Sequence, residues 1–188
     1  MKSGIPKLVL IIVFLITARP TYAEDVISGK FNLLDHNGRA VTEQNYDGKL
    51  RLVFFGFTAC PDVCPTTMFE VRSALQQLGE LAREVQPLFV SVDRDNDTQE
   101  KLAAYVGAFH PSIIGLTGSE EQLAAAAKSF NVTYGVQATA GGDGEEVFHS
   151  AYLFLMDRQG RFVDVFGYGT KAGVISQTIQ GQIAHEKS

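Results

Sequence analysis

The stretch Phe55-Gly56-Phe57-Thr58-Ala59-Cys60-Pro61-Asp62-Val63-Cys64-Pro65-Thr66-Thr67 decides how the rest of the chain is read. Upstream, Leu50 to Phe57 is a nearly continuous apolar run, the pattern of a central strand covered on both faces. Downstream, Met68, Val71, Leu75, Leu78, Leu81 and Val85 recur at helical spacing, which predicts a helix from about Pro65 to Val85. The cysteines therefore fall where a buried strand hands over to a long helix. Two cysteines four apart in a first helical turn share a face and can bring their sulfurs together. The unpaired N–H groups and the positive dipole end at a helix start favour thiolate over thiol. Such a pair can close a disulfide or hold a soft metal, since both need two sulfurs a few ångströms apart. A purely structural disulfide is the weaker reading, because so short a loop constrains the unfolded chain little.

Working outward, Phe31 to Leu34 and Arg39 to Thr42 read as two short strands around the turn Asp35-His36-Asn37-Gly38. Leu88 to Val92 is a second apolar strand, after which Asp97-Thr98 cap a helix carrying Leu102, Tyr105, Val106 and Phe109. Ser112 to Leu116 is a short strand, and Ser119 with Gln122 suggests a capping box opening a helix to Phe130. Thr139 to Glu146 is Gly-rich and acidic and reads as a loop. Ala151 to Met156 and Arg161 to Phe166 form a hairpin, followed by a helix over about Ala172 to Ala184. Strands alternating with helices and a closing hairpin make an α/β sandwich with a mixed central sheet, flanking helices and an N-terminal β-hairpin extension.

Composition narrows the function classes. A 188-residue chain with 45% hydrophobic and 20% charged residues is globular, neither disordered nor multi-spanning. Two cysteines rule out a disulfide scaffold, and the acidic balance argues against a nucleic-acid partner. At the N-terminus, Lys2 and Lys7 precede the apolar run Leu8 to Ile16, and small residues lead to a candidate cleavage after Ala23. Residues 1–23 thus read as a secretory signal peptide, with a short membrane anchor as the alternative, and residues 24–188 as the remaining domain. Cleavage would remove Lys2, Lys7 and Arg19 and change the net charge from −5 to −8. Export would place both cysteines in an oxidising compartment.

The cysteine segment resembles the signature of the Sco (SenC/PrrC) family, as do Ser91-Val92-Asp93-Arg94-Asp95-Asn96-Asp97-Thr98, Gly115-Leu116-Thr117-Gly118, and His149-Ser150 leading into the last hairpin. These pieces lie in the family's order across nearly the whole mature chain. The resemblance implies a thioredoxin-like fold and a role in copper delivery during cytochrome c oxidase assembly. By position within its motif, His149 matches the family's metal-binding histidine, so Cys60, Cys64 and His149 are the implied copper ligands. Sulfur ligands select Cu(I), and the imidazole also tolerates Cu(II). Zinc usually takes a fourth protein ligand in a structural site, and no obvious fourth donor exists. His36, His110 and His185 read as surface residues, and Met68 as a core methionine. One departure is Phe148, which stands where relatives often carry an acid.

The chief alternative is a thiol–disulfide oxidoreductase in which Cys60 attacks, Cys64 resolves, and a partner's copper-site cysteines are kept reduced. Thioredoxin-like reductases usually have two residues between the cysteines and a cis-proline near them. Three residues separate Cys60 from Cys64, and no proline follows Pro111. A peroxidase fails for want of the Pro-x-x-x-Thr-x-x-Cys pattern. The acidic run Asp93, Asp95, Asp97 is not an EF-hand, since Thr98 and Ala104 occupy the positions that need Gly and Glu. The expected partner is the apo copper-bearing subunit of cytochrome c oxidase, with another copper chaperone or a thiol reductase as further candidates. A monomer of the bacterial periplasm is expected, soluble or loosely anchored at its N-terminus.

Overall fold

The computed structural model describes residues 27–138 and 145–187, so the expected leader at residues 1–23 lies outside the described residues. In chain order the elements are β1 (Asn32–Asp35), β2 (Ala40–Thr42), β3 (Leu50–Gly56), α1 (Val63–Leu78), β4 (Val85–Ser91), α2 (Gln99–Phe109) and β5 (Ile114–Thr117). There follow α3 (Glu120–Ser129), β6 (Tyr134–Ala138), β7 (Glu145–His149), β8 (Leu153–Met156), β9 (Phe162–Phe166) and α4 (Ala172–Glu186).

Seven strands form one mixed sheet in the order β2-β1-β5-β4-β3-β8-β9. Strands β3, β4 and β5 run parallel at its centre, with β1 antiparallel to β5 and β8 antiparallel to β3. All seven residues of β3 are buried, which explains its unbroken apolar sequence. The pleat sends Leu50, Leu52 and Phe54 to the face covered by α1, α2 and α4. Val53 and Phe55 point to the opposite face, where they share a cluster with Leu123, Ala126 and Ala127 of α3 and with Leu33 and Val41 of the N-terminal strands. Burying a Leu or Phe contributes about 1.5–3 kcal/mol, so this strand is the axis of the core. The expected mixed sheet, flanking helices and N-terminal hairpin are all present.

Several boundaries differ from the sequence expectation. Helix α1 starts at Val63 and stops at Leu78, because Gly79 takes φ +55° and turns the chain into a 3₁₀ stretch over Gly79–Glu84. Val85 therefore opens β4 although it continues the helical spacing. Asp97 does not cap α2; that role falls to Thr98, whose hydroxyl accepts from the Lys101 N–H. The Ser119–Gln122 capping box at α3 is present in both directions. The expected loop from Thr139 to Glu146 is only partly one: Glu145 and Glu146 belong to β7, which pairs with β6 as a separate two-stranded ribbon. Helix α4 extends beyond the expected Ala184 to Glu186, so His185 is helical. Among the described residues no peptide bond is cis, and no helix is long and apolar enough to cross a membrane.

Candidate metal centre

The parallel strands β3 and β4 end at the same edge of the sheet, and the chain leaving β3 makes the cysteine turn there. Asp62 is the residue before α1, so only Cys64 is inside the helix and Cys60 stands upstream of it, in the turn. The expectation that both cysteines share the first helical turn is thereby corrected. Pro61 lacks an N–H and fixes its own φ, which suits a turn entering a helix. The Cys60 sulfur nevertheless reaches the helix, accepting from the Cys64 N–H at 3.4 Å. One of the helix's unpaired N–H groups is satisfied this way, and its positive end faces that sulfur.

Cys64 is fully buried, and Gly56 makes room for it: a Cβ built on Gly56 would stand 2.7 Å from the Cys64 sulfur. Both cysteines are free thiols in this structure. Burial pushes the Cys64 thiol well above its ordinary range; the Phe57 backbone opposes this, while the neighbouring Cys60 side chain and the Asp97 carboxylate push the same way. For Cys64 the helix start does not prevail; desolvation outweighs it, correcting the expectation of a thiolate at that position.

His149 ends β7 and comes in from the ribbon to the cysteine turn. Its ring meets the edges of Phe54 and Phe57 at centroid distances of 5.7 and 5.8 Å, both nearly perpendicular. Nδ1 lies 3.2 Å from the Ser150 carbonyl oxygen, an acceptor only, so Nδ1 carries the proton and donates. Nε2 then presents a lone pair toward the Cys64 sulfur, 3.3 Å away. Burial lowers the His149 pKa, so the ring is neutral at neutral pH despite the opposing Ser150 hydrogen bond. Fixing one ring nitrogen by a carbonyl while the other faces a ligand position is how metal-binding histidines are oriented.

The donor atoms of Cys60, Cys64 and His149 lie within 4.8 Å of one another, the one such cluster of metal-capable groups among the described residues. Metal–sulfur bonds of about 2.3 Å and metal–nitrogen bonds of about 2.0 Å would draw them only slightly closer. Two sulfurs and an imidazole are a donor set for a soft or borderline metal. Cys60 and His149 open onto a cavity of about 300 Å³ walled by Phe57, Pro61, Val63, Val147 and Phe148, with Asp62 its one acidic residue. Cys64 does not line it, so anything approaching the cluster arrives at Cys60 and His149.

The other candidates go elsewhere. His36 Nδ1 accepts from the Gly115 N–H at 2.9 Å and, half-buried, ties the first hairpin to β5. His110 Nδ1 meets the Ser112 hydroxyl at 2.8 Å. His36 and His110 are therefore hydrogen-bonded structural residues, more than bare surface groups. Met68 belongs to α1 and is buried on its core-facing side. The aspartates of the acidic run diverge: Asp93 bonds the Asn96 side chain, Asp95 pairs with Arg94, and Asp97 is buried. Sequence reading missed Gly56 and Asp97. An isolated glycine at the end of a strand was the available signal for the first. Nothing local ties the second to the cysteine turn, since its contacts there run to Thr58, 39 residues away. A larger cleft of about 870 Å³ lies at the opposite end of the sheet, where Arg158 pairs with Glu84 and Glu186.

Comparison with known proteins follows the same pattern. The human mitochondrial protein SCO2 homolog is 38% identical over 165 residues, covering 85% of this chain and 61% of that protein. The chain thus spans about six-tenths of the length of such curated relatives. The crystal structure of Arabidopsis thaliana ScoI with copper bound superposes with a TM-score of 0.78 at 35% identity, over 85% of this chain and 99% of that one. Bradyrhizobium japonicum ScoI with copper bound gives a TM-score of 0.74 at 37% identity, over 82% of this chain and 98% of that one. The family model described as SCO1/SenC matches residues 19–184. Nearly the whole chain is matched and the fold agrees with the thioredoxin-like Sco structures, so the protein belongs to the SCO1/SenC family.

Proposed function

We propose that the protein binds copper through Cys60, Cys64 and His149 and delivers it for assembly of the copper centre of cytochrome c oxidase. The observation that carries this reading is the convergence of two sulfurs and one imidazole within 4.8 Å. Sulfur favours Cu(I), imidazole accepts Cu(II), and relatives from Arabidopsis and Bradyrhizobium have been solved with copper bound. The oxidase as destination rests on the family resemblance, and its apo copper-bearing subunit is the recipient that reading implies. Another copper chaperone or a thiol reductase would act beside it.

Binding requires the thiols to lose their protons, and at Cys64 the charge of the cargo ion offsets the desolvation that otherwise keeps the thiol protonated. His149 is already neutral and needs no deprotonation. Two thiolates and one imidazole leave the side facing the cavity open. An incoming ligand reaches that side past Cys60, the half-buried member of the pair, and His149, while the buried Cys64 holds the cargo from behind. Release then proceeds by ligand exchange.

The second reading, a thiol–disulfide oxidoreductase, draws on the same asymmetry. Cys60 faces the cavity and would attack, and Cys64 lies at 0% exposure and would resolve. Residues 1–23 as a leader or short anchor, residues 24–188 as the working domain, a periplasmic location and a monomeric state complete the proposal.

The test mixes the copper-loaded protein with the purified, reduced apo subunit of the oxidase. Transfer of one copper equivalent supports delivery. No transfer, combined with reduction of the disulfide of the separately prepared oxidised subunit by the metal-free dithiol, would instead establish the reductase.

A further inference from the structure

The turn that carries Cys60 has little packing of its own, since Ala59, Pro61 and Asp62 are all exposed. Its upstream end is held by a buried carboxylate from another part of the chain. Asp97 is 2% exposed. Its Oδ2 accepts from the Thr58 N–H at 2.8 Å and from the Ser91 hydroxyl at 2.6 Å, and its Oδ1 accepts from the Thr58 hydroxyl at 2.5 Å. Asp97 is itself fixed by its N–H donating to the Asp93 carbonyl at 2.8 Å. Among the described residues no cation pairs with it.

A carboxylate buried without a cation is costly, and hydrogen bonds must offset that cost. Helix capping does not account for it, because Thr98 caps α2. Two of its three side-chain hydrogen bonds go to Thr58, two residues before Cys60. The Cys60 N–H in turn donates to the Phe57 carbonyl at 3.3 Å, so Thr58 and Cys60 belong to one closed turn. We propose that Asp97 is a positioning residue for the metal centre, acting through Thr58 to hold the Cys60 sulfur in register with Cys64 and His149. The proposal takes the centre from the reading above, and it is tested on metal-free thiols as well as on metal.

Thr58→Val and Ser91→Ala each delete one hydroxyl hydrogen bond to the same carboxylate, but only Thr58 joins it to the cysteine turn. The readout is the equilibrium of the metal-free Cys60–Cys64 dithiol with glutathione disulfide. Two thiols give up two electrons and two protons, closing one protein disulfide and yielding two glutathione thiols. Thr58→Val is expected to shift that equilibrium, and Cu(I) affinity, by about tenfold, with Ser91→Ala within about twofold of wild type. Equal shifts in both variants, or none in Thr58→Val, would overturn the proposal. Asp97→Asn can keep all three contacts, its oxygen serving the Thr58 N–H and Ser91 and its amide donating to the Thr58 oxygen. It is expected to stay within about threefold of wild type while Asp97→Ala moves at least as far as Thr58→Val. An Asn variant as damaged as the Ala variant would assign the effect to charge and sink the positioning role. A protein that binds no copper would defeat the proposed function and leave the dithiol comparison intact.

Discussion

Cys64 meets three influences: a helix start that favours its thiolate, an interior that favours its thiol, and a neutral imidazole at 3.3 Å. Burial prevails, so folding holds the proton that an unfolded cysteine loses at about pH 8.5–9. The raised folded pKa means that this stabilisation is present below that range and is lost as pH rises through it. Denaturant unfolding of the reduced, metal-free protein should therefore weaken by up to about 1.4 kcal/mol per pH unit above pH ~8.5. Cys64→Ala should remove that slope, and a wild type flat to pH 9.5 would contradict it. The raised tyrosines, Tyr46 and Tyr134, pushed up to about 12, and Tyr105, pushed up by burial, act only at higher pH. Gly56→Ala makes a second case at this scale, with its new Cβ 2.7 Å from the Cys64 sulfur and 3.1 Å from the Phe89 ring. Overpacking should cost about 1–3 kcal/mol in a denaturant melt and displace that sulfur, lowering Cu(I) affinity. Unchanged stability and affinity would show that the space is not needed. The cysteine pair could be read from its local spacing and His149 only from the family resemblance; the ionisation of Cys64 could not be read, because it depends on what the fold packs around it.

At the level of elements, periodicity and capping were the reliable signals. The Ser119–Gln122 box forms with the Ser119 hydroxyl accepting from the Gln122 N–H and the Gln122 side chain accepting from the Ser119 N–H. Ser119→Ala should lower stability by about 1 kcal/mol in denaturant unfolding, without altering the thiols. A loss near zero would mean that the box carries no net stabilisation. Strand β3 was legible for the same kind of reason, since a strand buried on both faces writes itself as an unbroken apolar run. The ribbon of β6 and β7 was not legible. It pairs with itself outside the main sheet and leaves Val136 58% exposed, so no burial imposes an alternating pattern on it. Yet it delivers His149, and Gly135 lets it close: a Cβ there would stand 3.0 Å from the Phe148 ring. The end of α1 misled for a related reason, as Leu81 and Val85 continue the helical spacing after Gly79 has already turned the chain.

Across the whole molecule the sheet separates two poles. One end gathers the cysteine turn, His149 and the Asp97 anchor; the other holds the Arg158 cluster with Glu84, Glu186 and Lys187. Three segments far apart in sequence meet at the first pole: the turn after β3, the loop after β4 and the end of β7. The fold class could be read from strand–helix alternation, whereas this convergence needed the parallel pairing of β3 with β4 and the inward return of the ribbon. The measurement that tests the centre most directly is a competition titration of the reduced, metal-free protein with Cu(I), repeated on His149→Ala, Cys60→Ser, Cys64→Ser and, as a control, His110→Ala. One equivalent bound tightly, weakened by at least about tenfold in each of the first three variants and unchanged in the control, is the expected result. Undiminished binding in any of those three would remove that residue from the site, and weak binding by the wild type would contradict a copper centre altogether.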